Sequence, residues 1–505
     1  MMFRLVRIRA AAVSGLLGVF SLITTTAQTN EVTFQEVSLG KVPPRARLDQ
    51  VILSRDNAHV AYPVQPGRIW NVVHDGQQDA VWDAVRDLQF SPNGSRLAYV
   101  ARRGTNECVV LDGTNSPPFQ AIGPGCLAFS PDSKRFVFIA WISGKWSAVL
   151  DGRPGPGYDR IAKVGFTFSS DSRHFAYAAL RGKQSFWITD SAESVPGDGV
   201  GPFRFSPDGT RTGWLAPRGE TWIVVVDGKA KECDQVAQEG VIFSPDSRHA
   251  MYASGGDKLQ VFVDDVGRDK FDRLAPGFMA FSPENGRVVV GGLRGEKWRA
   301  VIDGQESPEY EGLMANSLVF SPDGKHIAYA VLRTNHWSMI IDGTPGTVYD
   351  GIAAKSMSFS PDSRHYGYLA GRADKFVAVL DGKETAEYPA MGAQGVVYSA
   401  DSKRSAFVAQ QGTNWQAVVD GKASNGYTGI GLRPFDFSPD NRHFAFAATR
   451  DGKFFLVVDG RESPGYDQLL INTGEGASFG AFHVLAIKTK SPEEHEIVRV
   501  EALAK

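Results

Sequence analysis

Apolar and polar positions alternate along this chain in short runs, and turn residues interrupt them at near-regular intervals. The stretch from 126 to 161 shows the unit. An apolar run at 126–129 leads into Ser130-Pro131-Asp132-Ser133. Proline presets φ at the second place of a four-residue turn, and aspartate with serine or glycine suits the places beside it. Residues 135–140 (Arg-Phe-Val-Phe-Ile-Ala) have the β-branched and aromatic character of a strand. Gly144-Lys145 turns the chain into a second strand at 146–150, which ends in Asp151-Gly152, a strong hairpin signal. A short fourth strand is expected at 158–161. Four short antiparallel strands in about 40 residues make one propeller blade.

The unit recurs along the chain. Its turn serine stands at Ser54, Ser91, Ser130, Ser169, Ser206, Ser244, Ser282, Ser321, Ser360, Ser399 and Ser438, with a degraded twelfth copy at Ser478, at spacings of 37 to 40 residues. Twenty-one residues after each of the first eleven comes an aspartate: Asp75, Asp112, Asp151, Asp190, Asp227, Asp265, Asp303, Asp342, Asp381, Asp420 and Asp459. All variation in length falls between that aspartate and the next serine, so one part of the unit is fixed and the other behaves as a loop. Aromatics follow the same register. Sixteen residues after the serine stand Trp70, Trp146, Trp222, Trp298, Trp337, Trp415, Phe376 and Phe454; twenty-eight after it stand Trp82, Phe119, Tyr158, Tyr310, Tyr349, Tyr388, Tyr427 and Tyr466. One ring per blade at a fixed place is expected to pack between neighbouring blades, since each buries a large apolar area.

The fold class is therefore all-β, a tandem array of about twelve four-stranded β-propeller blades. The string Phe-Ser-Pro-Asp-Gly/Ser, the His/Arg-x-Ala-Tyr strand and the apolar strand ending in Asp-Gly resemble the WD40-like (PD40) repeat of the TolB-propeller family, over roughly residues 50–490. The resemblance implies a fold and not a TolB role, because the α/β domain that precedes the blades in TolB has no counterpart in this sequence. A propeller ring typically holds about 4–8 blades. Two six-bladed propellers, 28–277 and 278–505 with the boundary near 273–277, are the preferred arrangement, and one oversized ring is the alternative. The segment 32–39 is expected to supply the missing strand of the twelfth blade.

The residues that could carry chemistry recur with the repeat. Five residues after each serine lies a base, His59, His174, His249, His326, His365, His443 and His483, or Arg96, Arg135, Arg211, Arg287 and Arg404. Serine, histidine and aspartate are the parts of a hydrolytic triad, but arginine in the histidine's place would destroy a general base. A cation beside the turn aspartate, two residues after the serine, is the expected role. Gly476-Ala477-Ser478-Phe479-Gly480 matches a nucleophile pattern that needs a strand-to-helix elbow with an acid and then a histidine downstream; the remaining 25 residues contain no aspartate. Asp264 with Asp265 and Glu493 with Glu494 are adjacent acidic pairs expected to be solvated turns rather than calcium ligands. No catalytic, cofactor-binding or metal-ligating residue and no cofactor is expected.

The remaining features set the address. Arg4, Arg7 and Arg9 precede an apolar run at 10–23, and Thr25 and Ala27 suit a cleavage site, the pattern of a signal peptide over 1–27. The run is shorter than the ~20 residues of a membrane span, so a periplasmic or secreted protein without a transmembrane segment is expected. A net charge of −2 supplies no field for nucleic acid. Of Cys108, Cys126 and Cys233, the first two are the nearer candidates for a disulfide. The functional expectation is a non-catalytic binding or scaffold protein for a protein or polysaccharide partner. The alternative is a propeller-only polysaccharide lyase or glycosidase with a metal in the channel. It would gain from convergence of the pattern-breaking residues: Glu107, Ser185 and Gln260 in the strand-aromatic place, Asp190-Ser191 and Asp265-Val266 in place of Asp-Gly.

Overall fold

A computed structural model describes residues 32–162, 166–284, 286–471, 483–491 and 494–504. The segment 1–27 and Ser478 lie outside the described residues. Among the described residues the chain forms twelve antiparallel sheets, each a blade of four strands, in chain order except in the last, whose fourth strand comes from the N-terminal side. In blade 3 the strands are Ile122–Phe129, Phe136–Ile142, Lys145–Leu150 and Arg153–Tyr158. The fourth strand thus starts directly after Asp151-Gly152 rather than at 158–161, and Arg160–Ile161 already pairs with the next blade. The cause is the turn: Asp151 (φ 51) and Gly152 (φ 78) both take positive φ, the two-residue geometry whose twist matches the strands it joins. In four sheets the first strand is split into two pieces that pair with the same second strand. In blades 2, 3, 7 and 11 a register shift, as between Ile122 and Leu127, marks the same place, and the length variation of the repeat falls in this part of the unit.

Side chains alternate across each blade with the period of two that a strand imposes. Leu97, Tyr99 and Ala101 of blade 2 pack on blade 1, whereas Ala98 and Val100 pack on blade 3. Each of the twelve hydrophobic clusters among the described residues joins one blade to the next. Phe271 of blade 6 shares a cluster with Met279 and Val290 of blade 7. Leu485 and Ile497 of blade 12 share one with Tyr62 and Val73 of blade 1. The twelve blades therefore form a single ring, not two of six. The expected boundary at 277/278 falls inside the strand Arg273–Phe281.

The ring is closed by the N-terminal segment, as the missing strand of the last repeat required. Val32–Lys41 pairs antiparallel with Glu494–Ala504, with Phe34 opposite Ala502 and Val37 opposite Arg499. The only helix among the described residues is the short turn Leu48–Gln50, and no helix among them is long and apolar enough to cross a membrane. None of the three cysteines is in a disulfide. Cys126 packs toward blade 4 and Cys108 toward blade 1, so the pairing considered from sequence does not form.

Candidate functional site

The recurrent serine, histidine and aspartate come together, but as a structural lock. In blade 9 the buried Ser360 donates from Oγ to Asp362 Oδ1 at 2.6 Å and accepts from the backbone N–H of His365 at 2.9 Å. His365 Nδ1 lies 2.7 Å from Oδ2 of Asp381, whose Oδ1 accepts from the N–H of Tyr366 at 2.9 Å. The serine hydroxyl is thus aimed at the turn carboxylate and not at the imidazole. The cation's partner is the hairpin aspartate and not, as expected from spacing, the turn aspartate. In blade 6 this partner is Asp264: it takes the His249 contact at 2.6 Å, while Asp265 accepts from the Tyr252 hydroxyl at 2.8 Å.

Arginine at the histidine's place does more. Arg135 Nε donates to Asp151 at 3.0 Å, and a terminal nitrogen reaches the carbonyl of Arg173 in blade 4 at 2.8 Å. The turns are also joined directly: the N–H of Asp362 donates to Ser402 Oγ of blade 10 at 2.9 Å. Ser402 holds φ 62 to do so. At blades 2, 3, 5, 8, 9 and 10 the polar turn is therefore a contact to the next blade.

The aromatics pair as a second lock. Trp146 stands opposite Tyr158 across the hairpin, and Trp415 opposite Tyr427. Tyr158, buried between blades, donates from its hydroxyl to Glu193 of blade 4 at 2.9 Å. Arg181 of blade 4 pairs with Glu193 at 2.5 Å and lies over the Tyr158 ring at 5.0 Å. The same Tyr–Glu–Arg latch joins blades 8 and 9 through Tyr349, Glu384 and Arg372, and blades 10 and 11 through Tyr427, Glu462 and Arg450. Burial, and then the neighbouring Glu384 carboxylate, pushes the Tyr349 phenol up to about 12. The Arg372 guanidinium holds Glu384 below the usual carboxylate range.

Between blades 2 and 3 all three latch positions are apolar: Phe119 replaces the tyrosine, Pro154 the glutamate and Ile142 the arginine. These three residues line an open groove of about 610 Å³, floored by Phe138 and Val149 and edged by Arg96 and Lys134. A volume of that order suits a small molecule or a few side chains of a partner. The groove was not foreseen, because its signal is split between two adjacent repeats: Phe119 keeps the expected aromatic place, and Ile142 and Pro154 stand at places that the repeat register does not single out.

Glu107, Ser185 and Gln260 make no hydrogen bond or ion pair with one another among the described residues. They belong to blades 2, 4 and 6 and stand on separate hairpins. Glu107 is used locally, accepting from Arg86 at 2.8 Å and from the N–H of Ile122 at 2.7 Å. Glu493 lies outside the described residues, and Glu494 pairs with Lys41 at 2.7 Å. One further cluster was missed from sequence. His59, His74 and Asp75 of blade 1 place three donor atoms within 4.8 Å of one another. Its signal was available: His74 fills a place just before the hairpin aspartate where other repeats carry residues such as Leu111, Leu150, Ile341 or Leu380.

Fold and locks together define a closed twelve-bladed β-propeller with an apolar groove between blades 2 and 3. No family model matches the chain, and no curated protein matches it. Among solved structures it is similar to a eukaryotic initiation factor, at 14% identity and a TM-score of 0.34 over 65% of this chain and 94% of that one. It is also similar to TolB from Acinetobacter baumannii, at 18% identity and a TM-score of 0.23 over 41% of this chain and 61% of that one. The blade count and the closure rest on the packing of this chain itself.

Proposed function

We propose that the protein is an exported, non-catalytic binding or scaffold protein built from PD40-type repeats, acting in the periplasm or outside the cell. The N-terminal charge and hydropathy pattern supports export. The observation that carries the binding role is the groove between blades 2 and 3. There the lock that seals three other blade pairs is replaced by Phe119, Ile142 and Pro154, leaving apolar surface open. Apolar area that a fold leaves uncovered in a concave site favours a ligand with apolar groups of its own. The serine–histidine–aspartate sets are meanwhile engaged in blade-to-blade contacts, which supports a role without catalysis.

The test uses a naphthalene-sulfonate dye as an apolar probe, followed by fluorescence titration. Wild type is expected to bind the dye saturably. The triple variant F119Y/I142R/P154E, which restores the latch residues, is expected to lose that binding and to melt no lower. Dye binding that is unchanged in the triple variant would reject the groove as the site. A thermal shift with an oligosaccharide, accompanied by release of shortened sugar, would reject the non-catalytic reading.

A further inference from the structure

We propose that His59, His74 and Asp75 of blade 1 form a binding site for a divalent transition-metal ion of the zinc type. His59 and Asp75 are the ordinary structural pair of the repeat, with Nδ1 2.6 Å from Oδ2. His74 is an addition to it. In the five other blades with that histidine pair, the residue before the aspartate is Thr189, Val263, Ile341, Leu380 or Val458, none of which is an imidazole. The His74 ring is partly exposed, yet its Nε2 is turned inward, buried and without a hydrogen bond. That nitrogen stands 3.5 Å from Asp75 Oδ2.

The spacing suits a metal. Around a tetrahedral ion with bonds of about 2.1 Å, ligand atoms lie about 3.4 Å apart. The His74–Asp75 separation is already there. The His59–Asp75 separation has to open by under about 1 Å, as the ion replaces the proton shared in that hydrogen bond and the proton leaves to solvent. Asp75 keeps its orientation, because Oδ1 still accepts from the N–H of Val60 at 2.9 Å. The Phe90 ring of blade 2, 5.5 Å from His74 and 6.4 Å from His59 between centroids, forms an apolar wall beside both imidazoles. Two imidazoles and one carboxylate are a donor set for zinc, nickel, copper or iron rather than for magnesium or calcium. Three protein donors leave a further position for water or a bound ligand.

The proposal is tested on the full chain by calorimetric titration with Zn²⁺ and by the visible absorption of Co²⁺. Wild type is expected to take up one tight equivalent. His74→Leu, which installs the residue that Leu380 supplies in blade 9, and His59→Arg, which keeps the repeat's cation, are each expected to weaken that equivalent by roughly 100-fold or more. His174→Arg, the same change in blade 4, is expected to leave it unchanged. Zn²⁺ affinity in wild type no higher than in His74→Leu would overturn the proposal. So would an equal loss in His174→Arg, since the metal would then belong to histidine–aspartate pairs in general.

Discussion

The turn serine is the residue on which each blade depends. Ser360 is fully buried, and its hydroxyl serves Asp362 and the N–H of His365 at once. Replacing it with alanine leaves the half-buried N–H of His365 and a carboxylate oxygen of Asp362 without that partner. Ser360→Ala is expected to cost about 1–3 kcal/mol in urea unfolding, with no cavity large enough to add to it. The same contact dictates a pH response. The turn carboxylates Asp132, Asp171, Asp246, Asp362, Asp401 and Asp440 are held below their ordinary range, first by the hydroxyl of their own serine and then by a backbone N–H. A carboxylate with a depressed folded pKa contributes stability that is complete above its unfolded value and is lost as pH falls through the folded one. Urea midpoints are therefore expected to hold down to about pH 4 and then to fall steeply. A midpoint indifferent to pH below that value would show that the turns do not carry this load.

At the scale of elements, the inter-blade latch makes a sharper claim. Tyr349→Phe removes only a hydroxyl that donates to Glu384 at 2.8 Å, and it is expected to cost about 1.5–3 kcal/mol because the acceptor is charged. Phe119 already lacks that hydroxyl, so Phe119→Leu is expected to leave the melting temperature far less changed. The blades themselves were readable, since serine, aspartate and aromatic places repeat with little drift. Their contacts were less so. Nine of the first eleven repeats carry two aspartates near their base, with Asn93 and Glu284 at the turn place in the other two, and spacing alone does not tell the turn carboxylate from the hairpin carboxylate. Asp264 and Asp265 differ by one residue, and only the backbone decides which of them meets His249. His59 and His74 are 15 residues apart in sequence, a spacing that matches no short ligand motif. They meet because a hairpin folds one strand back upon the other. Ring size was the least readable, because a blade presents the same two faces whichever copy comes next.

The whole molecule depends on one strand from the far end of the chain. Without Val32–Lys41 the outer edge of Glu494–Ala504 has no partner, and an unpaired edge is a template for association. Deletion of residues 28–41 is expected to lower the melting temperature and to give oligomers by size-exclusion chromatography. A synthetic peptide of residues 32–41 is expected to reverse both. A deletion variant that stays monomeric and equally stable would mean that the blade closes some other way. The pairing of Val32 with Ala504 is also among the longest-range contacts in the chain, so ring closure is expected late in folding.

That closing strand also sets how the ring bears tension. Val32 pairs with Ala504, so both ends of the chain leave the antiparallel ladder at the same extremity. The ladder bonds run perpendicular to the strands. A pull that draws the two ends apart loads those bonds one after another, like a zip, instead of all together in shear. The ring would therefore yield at this blade under small forces, while the same pull applied between two interior blades would meet the full resistance of the locks.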